Sequence, residues 1–223
     1  MQRRASPRSA MLSGMPEGRI VIVNGASSTG KSTLIDRFVA QQAAAHDCWI
    51  ATGIDDYIAK LPWQWFDIDQ IAGPYASDGL RFTGDDHERT ILVGETGRHL
   101  FAAYRRTVGV WARQGLNVIV DEVTLDEATA RDWVEALAGL QPTWIGLHCD
   151  ADVAVARERA RGDRALGLSR GQSQVVHRYV RYDLKLDSTT ATAQQLVDEL
   201  TTFLAGGPHT AERPGGHGPR VQG

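Results

Sequence analysis

The stretch GASSTGKST, from Gly25 to Thr33, fits the spacing G-x-x-x-x-G-K-[ST] of a loop that binds phosphate. Gly25 and Gly30 allow the tight backbone that points successive N–H groups at a phosphate, and the following helix adds its positive N-terminus. Lys31 is expected to reach the β- and γ-phosphates, and Ser32 to place its hydroxyl on Mg²⁺. The loop therefore predicts binding of ATP and Mg²⁺, although it does not distinguish ATP from GTP.

Nine consecutive residues are assigned to this nucleotide site. Lys31 is also expected to be catalytic and Ser32 also to be a metal ligand, whereas Thr33 is expected chiefly to belong to the helix. The nine are Gly25, Ala26, Ser27, Ser28, Thr29, Gly30, Lys31, Ser32 and Thr33.

Two acidic groups follow apolar runs and suit the chemistry of phosphoryl transfer. In LNVIVDEV, Asp121 ends a predicted strand and is the expected second metal ligand, held to Mg²⁺ through water. Glu122 points to the opposite side of the strand, so a contact with substrate is less expected. In ATGIDDY, Asp55 and Asp56 follow another strand, at the edge where open α/β sheets bind ligands. One of the two is expected to cap the next helix, and Asp55 is the predicted catalytic base.

Arginines cluster in the stretch ARERARGDRALG. Guanidinium groups at the end of a helix can close over a triphosphate and stabilise the charge on the phosphoryl group in transfer. Arg161 and Arg164, beside Gly162, are the predicted catalytic lid residues. The alternative is a solvated helical face in which Glu158 pairs locally, and it is favoured for Arg159.

Elements that would position these groups alternate along the chain. Five β-branched runs are separated by amphipathic stretches, which predicts an α/β fold with about five mostly parallel strands flanked by helices. Helices are predicted over 32–45, 127–139 and 152–160, with Asp126 near the start of the second and Asp150 or Asp152 capping the third. The strand runs are RIVIVNG, CWIATG, LNVIVDEV, PTWIGLHCD and YDLKLD.

Residues 61–90 break the alternation and are expected to form a long excursion over the sheet edge. The stretch is aromatic, acidic and rich in glycine, and it is the expected acceptor side of the site. Three aromatic side chains of this stretch could equally cover the core or form the wall of an acceptor pocket. They are Trp63, Trp65 and Phe66.

Composition restricts the possible partners. The 223 residues carry a net charge of −3 and no basic stripe interleaved with aromatics, so nucleic acid is not an expected partner. No apolar run approaches the roughly 18 residues of a membrane span, and a cytoplasmic protein without a membrane partner is expected. Cys48 and Cys149 are predicted to lie in buried strands as free thiols. No histidine has the spacing of a metal ligand.

Both ends of the chain differ in composition from its middle. Arg, Pro, Ser and Gly dominate the first residues, and the last residues are similar. We therefore expect a disordered extension over 1–18, one kinase domain over 19–205 and a disordered tail over 206–223.

Taken together, these motifs resemble the chloramphenicol phosphotransferase family of P-loop antibiotic kinases, over roughly residues 19–205. The resemblance rests on IVIVNGASSTGKST, ATGIDD, GLNVIVDEV, WIGLHCD, ARERARGDRALG and QVVHRYVRYDLKLDST, in this order. It implies transfer of the γ-phosphate of ATP to a hydroxyl of chloramphenicol, a sheet of order 2-3-1-4-5, Asp55 as base and Arg161 and Arg164 as lid residues.

Residues 61–90 follow the family pattern only loosely, so the acceptor is less defined than the donor. Another hydroxylated antibiotic, another small metabolite or a nucleotide sugar, as in zeta-type toxin kinases, stays open. A nucleotide-binding switch that transfers nothing is the alternative outside the kinases. Oligomeric state also stays open, including a homo-oligomer.

Overall fold

The structure, a computed structural model, describes residues 16–68, 71–161 and 165–206. Its central sheet has five strands, and each neighbouring pair is parallel. Counted along the chain within this sheet, the spatial order is 2-3-1-4-5, as expected. The strands are β1 (Ile20–Asn24), β2 (Trp49–Gly53), β7 (Asn117–Glu122), β8 (Thr143–His148) and β9 (Leu184–Asp187).

Helices cover both faces of this sheet, which explains why β1 is apolar and buried along almost its whole length. On one face, Val21 and Val23 pack against α1 (Lys31–Ala44) and α7 (Ala193–Ala205). On the other face, Ile20 and Ile22 pack against α3 (Glu95–Arg113) and α4 (Glu127–Ala136). The predicted helices near 32–45 and 127–139 are therefore present, with small differences at their ends.

Residues 61–90 are more regular than the sequence suggests, because they contribute strands to a second, four-stranded sheet. This sheet has the order β4-β3-β5-β6 and follows the short helix α2 (Ile54–Ile58). Phe66 and Leu80 from this sheet pack with Phe101 of α3 in a separate apolar core. Its strands are β3 (Phe66–Ile68), β4 (Ile71–Ala72), β5 (Leu80–Gly84) and β6 (Arg89–Val93).

Two further helices join the second sheet to the phosphate loop. They are α5 (Ala151–Arg161), whose start is capped by Asp150 Oδ1, and α6 (Leu168–Ser173). The backbone N–H of Arg89 in β6 donates to the carbonyl of Gly167, at 3.0 Å. The second sheet is thus fixed to the start of α6.

Glu158 does not lie on the solvated helical face on which it was expected. Glu158 is buried, and its carboxylate accepts hydrogen bonds from the backbone N–H groups of Gly167 and Ser169 and from the Ser169 hydroxyl, at 2.8–2.9 Å. Arg159 is exposed, in agreement with the solvated face. Glu158 therefore joins α5 to the first turn of α6.

The structure corrects the expected position of both cysteines. Cys48 lies just before β2 and is exposed, because β2 is an edge strand of the sheet. Cys149 lies just after β8 and is partly buried, and both thiols are free. None of the helices described is long and apolar enough to cross a membrane. The extensions predicted to be disordered lie almost wholly outside the described residues.

A polar cluster lies where β1 and β8 end, next to the phosphate loop. The rings of His148 and His177 stack with their centres 3.9 Å apart, and His177 Nδ1 lies 2.7 Å from the hydroxyl of Tyr182. That hydroxyl also contacts Asn24 Nδ2, at 2.6 Å. Burial, assisted by the neighbouring His148, lowers the pKa of His177 to about 4. His177 is thus neutral in the folded protein at physiological pH.

This shift predicts that stability falls on acidification. An unfolded His177 takes up a proton near pH 6.5, whereas the folded one does so only near its pKa of about 4. Stability should therefore be complete above pH 6.5 and be lost progressively between these two values. Urea unfolding at about pH 7.5 and about pH 5 should show a smaller difference for His177→Gln than for the parent protein. An unchanged difference would contradict the lowered pKa of His177. The part of the pH dependence that remains in His177→Gln is expected to come from His148, whose pKa is also lowered by burial.

Candidate active site

The phosphate loop connects β1 to α1, and two glycines set its path. A Cβ on Gly25 would lie 2.6 Å from the carbonyl oxygen of Leu147, so only glycine allows the loop to lie this close to β8. Gly30 has φ of +94°, in the left-handed region that glycine adopts without strain. Both positions therefore require the residue that the sequence pattern supplies.

Lys31 is buried under the loop and paired on two sides. Its Nζ donates to the carbonyl oxygens of Gly25 and Ala26, both at 2.9 Å, and lies 3.4 Å from Asp121 Oδ1. The Ser32 hydroxyl donates to Asp121 Oδ2 at 2.8 Å. The structure thus brings the two predicted metal ligands into direct contact at the ends of β7 and the loop. A hydroxyl and a carboxylate so close are oxygen donors of the type that Mg²⁺ prefers.

Other hydrogen bonds hold the loop from the far end of the chain. The hydroxyl of Ser188 donates to the carbonyl oxygen of Thr29 at 2.7 Å. The hydroxyl of Ser169 shares its one proton between the Glu158 carboxylate and the carbonyl oxygen of Ser27, which is 3.1 Å away. The hydroxyls of Ser27 and Ser28 are buried but have no hydrogen-bond partner among the described residues. Buried hydroxyls without a partner are costly, and the oxygens of a bound phosphate would satisfy them. The loop therefore fits the group that its sequence pattern predicts.

The two aspartates after β2 have different surroundings. Asp56 accepts hydrogen bonds from the backbone N–H of Gly53 at 2.8 Å and from the hydroxyl of Thr52 at 3.1 Å. It therefore caps the start of α2, as was expected of one of the pair. Asp55, the predicted base, lies in the same first turn and lines a cavity that also contacts the phosphate loop.

Glu122 lies on the opposite side of β7, as the strand alternation predicts. It is fully buried, and its carboxylate accepts a hydrogen bond from Trp133 Nε1 at 2.8 Å. Burial raises its pKa, while the guanidinium of Arg105 acts in the opposite direction. Glu122 does not line the cavity and belongs to the core between β7 and α4.

The cavity has a volume of about 530 Å³ and joins a polar end to an apolar end. The polar end includes Lys31, Ser32, Asp55 and Asp121. The apolar end is formed mainly by α2, α3 and the second sheet, and its side chains come from Ile54, Ile58, Phe66, Ile68, Leu80, Phe82, Ile91, Val93 and Phe101. No acidic side chain of the described part of residues 61–90 lines the cavity, which corrects the expected acidic acceptor side.

The predicted aromatic wall is present only in part. Phe66 lines the cavity, whereas Trp63 is exposed and Trp65 packs against Tyr75 with ring centres 4.9 Å apart. The carboxylates of Asp78 and Asp85, in the same segment, accept hydrogen bonds from nearby residues. These hydrogen bonds lower the pKa of both carboxyls. These two carboxylates therefore stabilise the fold of the segment.

The predicted site residues do not all reach the cavity. Arg161 lines it at the end of α5, while Arg164 lies outside the described residues. Arg157 instead donates to the carbonyl of Ser188 at 2.7 Å. Within the loop, the cavity is lined by Ser27, Ser28, Gly30, Lys31, Ser32 and Thr33, whereas Gly25, Ala26 and Thr29 lie behind it.

Two features of the site were missed by the sequence analysis. The alternation in LRFTG and RTILV, separated by the polar residues DDHE, is typical of a hairpin and could have revealed the apolar wall of Phe82 and Ile91. The position of Gln172 in the cavity lining had no such signal, because its contact with Ser27 joins residues 145 positions apart.

A parallel sheet of order 2-3-1-4-5, with a phosphate loop after its first strand, defines the P-loop kinase fold. Solved structures agree with this class. A sugar kinase from Janibacter sp. HTCC2649 has a TM-score of 0.60 at 17% identity, covering 88% of this chain and 99% of its own. A Mycobacterium tuberculosis APS kinase, solved with AMPPNP and APS, has a TM-score of 0.57 at 15% identity, covering 85% and 99%.

The chain belongs to the chloramphenicol phosphotransferase-like protein family, whose model matches residues 18–205. Two relatives from Mycobacterium tuberculosis, strains CDC 1551 and H37Rv, are both provisionally named O-phosphotransferase. Each is 31% identical over 199 residues, which cover 89% of this chain and 87% of the relative. The protein is thus a phosphotransferase of the kinase type, as the sequence predicts.

The division between Asp55 and Asp56 can be tested by stability. Asp56→Ala should lower the free energy of unfolding by about 1 kcal/mol, because it removes the cap of α2. Asp55→Ala should lower it less, since the cap bonds remain. Chemical denaturation of the two variants measures both values, and an equal or larger loss for Asp55→Ala would contradict the assignment.

Proposed function

We propose that this chain transfers the γ-phosphate of ATP to a hydroxyl of a small molecule with a largely apolar body, chloramphenicol or a similar antibiotic. The observation that carries the proposal is the continuity of one cavity from the phosphate loop, past Asp55, to a wall of aliphatic and phenyl side chains. Family membership supports the same chemistry.

On the donor side, Lys31 and the loop N–H groups would hold the triphosphate. Ser32 and Asp121 would hold Mg²⁺, which in such sites neutralises charge on the phosphate oxygens. Arg161, and Arg164 beyond the described residues, would add positive charge from the lid side. The positive groups of the described lining, Lys31 and Arg161, are those that a transferring phosphoryl group requires.

Asp55 would act as the base. The attacking oxygen of the acceptor forms a bond to the γ-phosphorus, the bond to ADP breaks, and the hydroxyl proton passes to the Asp55 carboxylate. Asp56 is less suited to this role because it already accepts two hydrogen bonds at the start of α2. Glu122 is excluded by its position in the core.

The cavity wall favours an apolar acceptor over the alternatives. A nucleotide-sugar kinase of the zeta type would need cationic side chains on the acceptor side to pair with phosphates. Around the acceptor end, the described lining consists of side chains such as Phe82, Ile91 and Phe101. Apolar walls of this kind gain binding free energy from hydrocarbon and aromatic surface. A nucleotide-binding switch that transfers no phosphoryl group would not need an apolar acceptor cavity.

We expect Asp55→Asn to lower kcat by about two to four orders of magnitude, because the neutral amide cannot take the hydroxyl proton. Affinity for ATP, measured by calorimetry, should stay close to that of the parent protein. Asp67→Asn is the matched control, since Asp67 is an exposed carboxylate of β3 that does not line the cavity. A parent-like kcat for Asp55→Asn would remove Asp55 from the role of base.

The acceptor class can be tested with a panel. ATP consumption should depend on Mg²⁺ and rise with chloramphenicol or another apolar alcohol, but not with gluconate or a UDP-sugar. Phe82→Ser should raise the KM for the apolar acceptor about tenfold or more, because it removes a phenyl group from the wall. Mass spectrometry of the product would locate the phosphate. Turnover of the UDP-sugar alone would instead support the zeta-type alternative.

A further inference from the structure

Gln172 lines the cavity but belongs neither to the phosphate-loop motif nor to the predicted arginine lid. It lies near the end of α6, is 5% exposed and lines the cavity between the loop and the lid side. Its Oε1 accepts a hydrogen bond from the backbone N–H of Ser27, at 2.7 Å. Gln172 is therefore a buried polar side chain that touches the phosphate loop directly.

This hydrogen bond fixes which end of the amide faces the cavity. A backbone N–H can only donate, so the amide oxygen must point at Ser27 and the NH₂ group must point away from it. Within the described part of the chain, Gln172 Nε2 makes no hydrogen bond. Because Gln172 lines the cavity and this donor has no partner in that part of the protein, the NH₂ group is open to a ligand that brings an acceptor.

Two hydroxyl groups that line the same cavity also lack a hydrogen-bond acceptor in the described structure. The hydroxyls of Ser27 and Ser28 are buried without a partner among the described residues, and both residues line the same end of the cavity. Leu168 and Ala165, close to Gln172 in sequence, also line this cavity. An anion with several oxygens, located where the loop meets the acceptor chamber, would satisfy all three donors.

We propose that Gln172 is a further catalytic residue, whose amide NH₂ donates a hydrogen bond to the terminal phosphate of the bound nucleotide. The proposal rests on the donor half of the proposed function. The terminal phosphate is the one that must lie toward the acceptor, and Gln172 lines the same cavity as the phosphate loop and Asp55.

Hydrogen bonds around α6 hold the amide in place. The Ser169 hydroxyl donates to the carbonyl of Ser27, and the buried Glu158 carboxylate holds the first turn of α6. Ser27 is thus bonded through its N–H to Gln172 and through its carbonyl to Ser169. An amide positioned in advance loses little conformational entropy when the phosphate binds.

The test separates donation to phosphate from simple attachment of the loop. Gln172→Glu keeps an oxygen for the Ser27 N–H but replaces the NH₂ group with a second, negatively charged oxygen. Gln172→Met removes both contacts at similar length. Ser169→Ala removes the other bond between α6 and Ser27 but no donor from the cavity, so it measures how much the attachment of the loop contributes by itself.

Calorimetry with Mg²⁺ and either AMPPNP or ADP measures the result without any acceptor. We expect the Kd for AMPPNP to rise about 10- to 100-fold in Gln172→Met, and further in Gln172→Glu, since hydrogen bonds to charged groups have this strength. The Kd for ADP should change less than about threefold in Gln172→Met, and in Ser169→Ala any change should be the same for AMPPNP and ADP. Thermal unfolding confirms that each variant is folded.

Three results would overturn the proposal. Parent-like AMPPNP binding by Gln172→Glu, with weaker binding by Ser169→Ala, would reduce Gln172 to an attachment of the loop. Equal losses for AMPPNP and ADP would exclude a contact specific to the terminal phosphate. Failure of the parent protein itself to bind AMPPNP would overturn the proposed function as well, which distinguishes the two failures.

Discussion

The buried ammonium group of Lys31 is the constraint on which the rest of the site depends. A charge taken out of water is costly unless it is paired and hydrogen-bonded, and here the partners come from the loop backbone and from Asp121. Asp121 can reach Lys31 only because β7 lies directly beside β1 in register, with Val23 opposite Asp121. The pairing of Lys31 therefore depends on the sheet order and on the fold of the loop, and the same contact lies at the expected metal position.

The acceptor half of the site is formed by apolar packing rather than by the pairing of charges. Its surface comes from the second sheet and from α2 and α3, which cover the same apolar space from different directions. Side chains such as Phe66 and Leu80 serve both as core of the second sheet and as cavity lining. Polar donors near the loop and apolar surface farther away divide the cavity into two chemically distinct halves.

The amino-acid sequence predicts the local features well, because phosphate loops, strand ends and helix caps depend on residues close in sequence. The cap formed by Asp56 is of this kind. The contact of Ser32 with Asp121, 89 positions apart, was predictable because each residue belongs to a recognisable local motif. Residues 61–90 were harder to predict, because their glycines and acidic residues are typical of a loop. The burial of the hairpin that they form depends on contacts with α3. Gln172 and Glu158 could not be predicted, because both act through contacts that only the assembled fold brings together.

The hydrogen bond from Ser188 to Thr29 has a consequence for the order in which the protein matures during synthesis. The two residues are 159 positions apart, so a ribosome has to produce β9 before the loop near the N-terminal end obtains this support. A nascent chain that ends before Ser169 has the complete loop sequence but lacks the bonds to Ser27 as well. Nucleotide binding should therefore arise late in translation, when almost the entire kinase domain has emerged.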